Sequence, residues 1–161
     1  MDTYSEQLVK KNQTSSDNMK KIIIIAAGAV VTVGLLYVTF VVTPFALLAV
    51  AAAIYGMYWL ITGTNIEYEY IVTNGALDID KIISKRKRVT LLSIDVKDFT
   101  EFGKYEEKDF SGTTINAVGG EEELVYAVFN SQQYGASMLI FAPNEKIIKC
   151  IKPHLNRKIS F

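Results

Sequence analysis

Between Ile22 and Ile66 the chain reads IIIIAAGAVVTVGLLYVTFVVTPFALLAVAAAIYGMYWLITGTNI, 45 residues without one Asp, Glu, Lys, Arg or His. A soluble domain in a chain of 161 residues cannot hide such a segment in its own core, so this stretch decides the fold class. As one helix it would run to about 68 Å at ~1.5 Å per residue, more than twice the ~30 Å hydrocarbon thickness of a bilayer. It has to break, and Thr43-Pro44 is the place: proline donates no backbone hydrogen bond and disfavours helical geometry in the residue before it. Two spans follow, Ile22–Val42 and Phe45–Thr62. Because unsatisfied backbone is costly in lipid, the sequence predicts a transmembrane helical hairpin over residues 22–63.

All 17 basic and 17 acidic residues lie outside that run, in residues 1–21 and 67–161. The balance, with a hydrophobic fraction of 50%, excludes a disordered chain and a polybasic nucleic-acid binder. Lys10, Lys11, Lys20 and Lys21 precede the first span, and Lys81 with Lys85-Arg86-Lys87-Arg88 follows the second, while the link carries no charge. The positive-inside rule then puts both termini in the cytoplasm. Tyr55, Tyr58 and Trp59 are the expected interfacial anchors of the second span. The first span is too long for a cleaved signal peptide, and Asp2, Glu6 and Asp17 precede it. Ala49, Ala52, Ala53 and Gly56 form a small-residue packing face, with Gly28 and Thr32 as a smaller counterpart on the first span. The spans hold no ionisable residue, which argues against a proton relay or ion pathway.

Residues 1–21 are rich in Ser, Asn, Gln and Lys and read as a polar N-terminal tail or a short surface helix. Residues 64–161 read as one small β domain. Tyr68, Tyr70 and Val72 alternate with Glu67, Glu69 and Thr73, the pattern of a half-buried strand. Asn74-Gly75 follows as a primed hairpin turn, and Ala76–Asp80 alternates again. Further strands are expected over about 82–89, 91–99, 124–130 and 135–142, the last two separated by Ser131-Gln132-Gln133. A long loop over 103–120 holds at most one short strand near 113–118. Pro143-Asn144-Glu145 opens an amphipathic helix over about 144–155, with Ile147, Ile148, Ile151 and Leu155 on its apolar face.

Six or seven antiparallel strands closed by a C-terminal helix suggest a small open barrel. This order resembles the pleckstrin-homology-like (PH-like) domains of bacterial membrane proteins. The resemblance rests on Glu69-Tyr70-Ile71-Val72-Thr73-Asn74-Gly75-Ala76-Leu77-Asp78-Ile79, the basic run, the 91–96 strand and Pro143-Asn144-Glu145-Lys146. The chain also looks like an uncharacterised bacterial family in which a hairpin precedes Asn65-Ile66-Glu67-Tyr68-Glu69-Tyr70. The resemblance implies an α+β membrane protein with a binding or scaffolding habit, and no reaction.

Catalytic candidates are sparse. Cys150 is the only cysteine, so an internal disulfide is excluded, and His154 is the only histidine. The two lie four residues apart on the final helix, but Pro153 disturbs that geometry and a third orienting residue is lacking. Asp78 and Asp80 share a strand face, as solvated carboxylates commonly do. Gly119-Gly120 lacks the lysine and helix of a phosphate loop. The run Lys85-Arg86-Lys87-Arg88 is the best functional candidate, read as an edge strand that contacts anionic lipid or a partner. The competing reading is a solvated edge paired with Glu106, Glu107 or Glu121–Glu123. Nucleic acid fits poorly, since residues 67–161 carry 13 basic and 14 acidic residues. The expectation is a non-enzymatic inner-membrane protein without metal or cofactor, displaying a cytoplasmic PH-like domain to lipid headgroups, a protein partner or a second copy of itself. An accessory subunit of a transporter or envelope complex is the alternative, and a membrane-tethered hydrolase stands third.

Overall fold

The computed structural model describes residues 3–107, 109–120, 123–131, 135–157 and 159. The chain divides into two units: Gln13–Asn65, all helical, and a β unit that joins Met1–Asn12 to Ile66–Phe161.

In the helical unit, α1 spans Ser15–Val41 and α2 spans Leu47–Thr62, with a 3-10 turn over Pro44–Ala46 between them. The break falls where proline requires it, and Thr43 Oγ1 accepts a hydrogen bond from Phe45 N at 3.4 Å. Helix α1 begins seven residues before the predicted Ile22. Thr14 N donates to Asp17 Oδ2 at 3.3 Å, and the Thr14 carbonyl accepts from Asp17 N, so a polar first turn caps the apolar span. The helices run antiparallel, with Gly28 facing Met57 so closely that a Cβ at residue 28 would meet its Sδ. Helix α1, and α2 together with the 3-10 turn before it (Pro44–Thr62), are long and apolar enough to cross a membrane. Thr32 and Thr39 return their hydroxyls to the carbonyls of Gly28 and Leu35, at 2.7 and 2.8 Å.

The β unit holds two four-stranded sheets. The first consists of β1 (Tyr4–Lys10), β2 (Ile66–Thr73), β3 (Ala76–Ile83) and β4 (Lys87–Asp95), antiparallel in that order. The second contains β5 (Phe99–Lys104), β6 (Thr113–Ala117), β7 (Val125–Ser131) and β8 (Gly135–Phe141), in the order β5-β7-β8-β6. Strand β6 runs parallel to β8, so the sheet is mixed rather than wholly antiparallel. Helix α3 (Glu145–Ile151) covers the core, with Asn144 Oδ1 capping Ile147 N at 2.9 Å. Tyr70, Val72, Leu77 and Ile79 of the first sheet meet Phe99, Phe129, Leu139 and Phe141 of the second, with Ile147 and Ile151 of α3.

Several sequence-based expectations need correction. Residues 4–10 are not a tail: they pair with β2 over seven residues, from Tyr4 opposite Thr73 to Lys10 opposite Glu67. Of the inward residues Ser5, Gln7 and Val9, only Val9 is apolar, so composition concealed the strand. Gln7 is satisfied internally, since its Nε2 donates to the Ala142 carbonyl at 3.0 Å and its Oε1 accepts from Asn144 N at 2.7 Å. The expected strand over 82–89 does not exist. Ser84 and Lys85, both at φ 56°, turn the chain instead, and Arg86 N closes the turn on the Ile83 carbonyl at 3.0 Å. The next expected strand divides as well, into β4, a 3-10 turn over Val96–Asp98, and β5. Helix α3 is shorter than predicted, because Pro153 converts its last turn to 3-10 geometry over Lys152–His154. The Asn74-Gly75 turn forms as expected, at φ 48° and 88°. Gln132-Gln133 lies outside the described residues.

Candidate functional site

The basic run Lys85–Arg88 is not four residues of one strand. Lys85 and Arg86 belong to the β3–β4 turn, and Lys87 and Arg88 begin β4, an edge strand of the first sheet. All four are exposed. In the register, Ile66 pairs with Ile83 and Lys10 pairs with Glu67. The turn therefore lies at the end of the sheet where the chain passes between the two units, at Asn12-Gln13 and at Asn65-Ile66.

The outer face of this sheet is ordered by period-two alternation. Lys10, Glu67, Ile82 and Arg88 form one cross-strand row, and Leu8, Glu69, Asp80 and Thr90 form the next. Arg88 reaches over β3 toward β2: its Nη2 stands 2.6 Å from Glu69 Oε2 and its Nη1 3.6 Å from Asp80 Oδ2. The Arg88 side chain is 54% exposed and that of Glu69 only 8%. Arg88 is thus the charged neighbour of a buried carboxylate oxygen. Burial is the main cause that raises the Glu69 carboxyl above its usual range; Arg88 opposes the shift, and the carboxylates of Glu6 and Asp80 add to it. Leu8, Glu67, Glu69, Ile82 and residues 85–88 line an open groove of about 400 Å³.

The structure thus brings the basic turn together with two residues that sequence reasoning left aside, Glu69 and Leu8. Glu69 reads as an ordinary outward carboxylate because its burial depends on elements distant in sequence. Asp80 differs from expectation in the same way: it is 8% exposed and faces Arg88, whereas Asp78 is half-buried. Among the described residues, no group of three His, Cys, Asp or Glu side chains is placed to hold a metal ion.

The remaining candidates lie elsewhere. On α2, Ala49 and Ala52 are exposed while Ala53 and Gly56 are half-buried, so half of the small face points away from α1. Tyr55, Tyr58 and Trp59 are exposed on the same helix. Cys150 packs against the core beside Ile151. His154 Nε2 shares a hydrogen bond with Thr3 Oγ1 at 3.3 Å, and its ring lies against Gly75, where a Cβ would meet it at 2.9 Å. Gly119 receives the end of β1, since a Cβ there would collide with Val9 and with the Lys10 backbone. Of the acids considered as partners of the basic run, Glu121 and Glu122 lie outside the described residues, and Glu123 is 3.4 Å from Lys104.

No curated protein and no solved structure matches the chain. One family does, over the full length of residues 1–161, and its description agrees with the sheet-rich unit closed by α3. The chain belongs to the family described as Bacterial PH-like domain (DUF6106).

Proposed function

We propose that the protein is an integral membrane protein of the cytoplasmic membrane, with both termini in the cytoplasm, and that its PH-like unit is an open barrel. Its role on this reading is non-enzymatic: the β unit contacts anionic lipid headgroups through the turn at residues 84–88. The observation that carries it is the register, since Ile83 pairs with Ile66, the first residue of the strand that follows the apolar helices. The strand that pairs with this end of β3 begins four residues along the chain from Thr62, the end of a helix that on this reading crosses the bilayer. Each cation near an anionic leaflet contributes ~1 kcal/mol. The topology supports placing both flanks on one side as well. Strands β1 and β2 pair with each other, so residues on either side of the hairpin share one face of the membrane, and the chain crosses an even number of times.

The test reconstitutes the full chain in nanodiscs of mixed phosphatidylglycerol and phosphatidylcholine and counts lipids retained by native mass spectrometry. Replacing Lys85, Arg86 and Lys87 with Gln is expected to reduce retained phosphatidylglycerol several-fold. Unchanged retention overturns the lipid role. A second reading, an accessory subunit of a membrane complex, draws on the exposure of Ala49 and Ala52. Cysteine crosslinking at Ala52 that captures a distinct membrane protein favours it.

A further inference from the structure

The groove on the outer face of the first sheet carries charges of both signs, and that mixture is more specific than a basic patch. Lys85, Arg86, Lys87 and Arg88 stand on its rim, while Glu67 and Glu69 lie in the same concavity. A site for a simple anion gains nothing from two carboxylates, which repel it. A solvated strand edge has no reason to bury Glu69. Arg88 offsets only part of that charge: its Nη2 stands 2.6 Å from Glu69 Oε2 and its Nη1 3.6 Å from Asp80 Oδ2, so one guanidinium is divided between two carboxylates.

We propose that this groove binds an alkyl phosphate carrying a primary amine, the chemistry of a phosphoethanolamine headgroup, with the phosphate on the 85–87 turn and the ammonium on Glu67 and Glu69. The proposal rests on the reading that this end of the sheet meets headgroups, and it names the headgroup. An ammonium brings a second cation and three N–H donors to carboxylates that share one guanidinium. Glu67 and Glu69 are alternate residues of β2, so they share a face about 6.7 Å apart along the strand, and one amine fits between them. Leu8 and Ile82 supply an apolar floor for the two-carbon link. Arg88 is engaged with Glu69 and Asp80, which puts the phosphate beside Lys85, Arg86 and Lys87. Choline cannot substitute for ethanolamine, because its trimethylammonium has no N–H to give.

The experiment uses the full chain in a phosphate-free detergent. Calorimetric titration compares O-phosphoethanolamine, phosphocholine and inorganic phosphate. Phosphoethanolamine is expected to bind at least tenfold more tightly than either of the others. Glu69→Gln is expected to bring phosphoethanolamine to within about threefold of phosphocholine while leaving phosphate binding intact. Glu67→Gln, at a less buried position, serves as the second variant and shows the same loss in smaller degree. Equal affinity for the three ligands, or a preference that survives both variants, overturns the proposal.

A lipid arm measures retention of phosphatidylethanolamine against phosphatidylglycerol in mixed micelles. Preferential retention of phosphatidylethanolamine assigns the ligand to the bilayer, whereas binding of the soluble compound alone assigns it to a free aminoalkyl phosphate. If phosphatidylglycerol is retained equally and retention falls with Lys85→Gln and Lys87→Gln, the groove proposal fails and the broader lipid role stands. Retention insensitive to these lysines sinks both.

Discussion

Glu69 concentrates the electrostatic cost of the outer sheet face. Its carboxyl is raised by burial, so the folded chain holds this proton at a pH where the unfolded chain, near 4.5, has released it. The folded state then binds more protons than the unfolded state, and stability from this residue falls as pH rises through the window between the two values. The loss is complete above the folded value. Glu69→Gln fixes the neutral form and removes the dependence. In thermal unfolding of the full chain at a series of pH values, the variant is expected to gain on the wild type as pH rises from 4.5, and the gain then levels off. A difference that shrinks with rising pH contradicts this assignment. The site's basic half was legible in the sequence because four consecutive cations are conspicuous. Its acidic half was not: Glu67 and Glu69 alternate with apolar residues exactly as any half-exposed strand would, and only pairing with β1 and the reach of Arg88 make Glu69 distinctive.

At the scale of elements, local signals were read well and pairing signals poorly. Pro44, Asn74-Gly75 and the Asn144 cap act within a few residues of themselves, and each appears where the sequence places it. The Ser84-Lys85 turn carries neither glycine nor asparagine, so its left-handed backbone left no mark in the sequence. Strand β6 shows its strand character locally, but its parallel partner β8 begins 22 residues later. Strand β1 is the largest omission, since two of its three inward residues are polar and the 53 residues of the helical unit separate it from β2. Gln7 is the side chain that ties β1 to the link before α3. Gln7→Ala removes two hydrogen bonds and strands the Ala142 carbonyl and the Asn144 amide, so unfolding free energy is expected to fall by about 1–3 kcal/mol. Denaturant unfolding followed by near-ultraviolet circular dichroism measures it, and a loss below about 0.5 kcal/mol contradicts the role.

For the whole molecule, the sequence placed the apolar helices ahead of the β domain, whereas the structure inserts them between the first and second strands of that domain. Hydropathy marks the inserted helices but is silent about which polar flanks belong together. A fragment of residues 66–161 alone therefore bares the β2 edge and lacks Val9 from the core. Residues 1–12 joined to 66–161 by a short Gly-Ser linker restore both. The joined chain is expected to be monodisperse with dispersed amide resonances, and the fragment to aggregate or be digested rapidly by protease. Equal behaviour of the two denies β1 its structural role. The insertion also fixes an order of events during synthesis. The first strand leaves the ribosome with nothing to pair against, and its neighbour emerges only after both apolar helices have been translated. Closure of the sheet therefore waits on the helices, and a chain that stalls within them is left with an unpaired first strand.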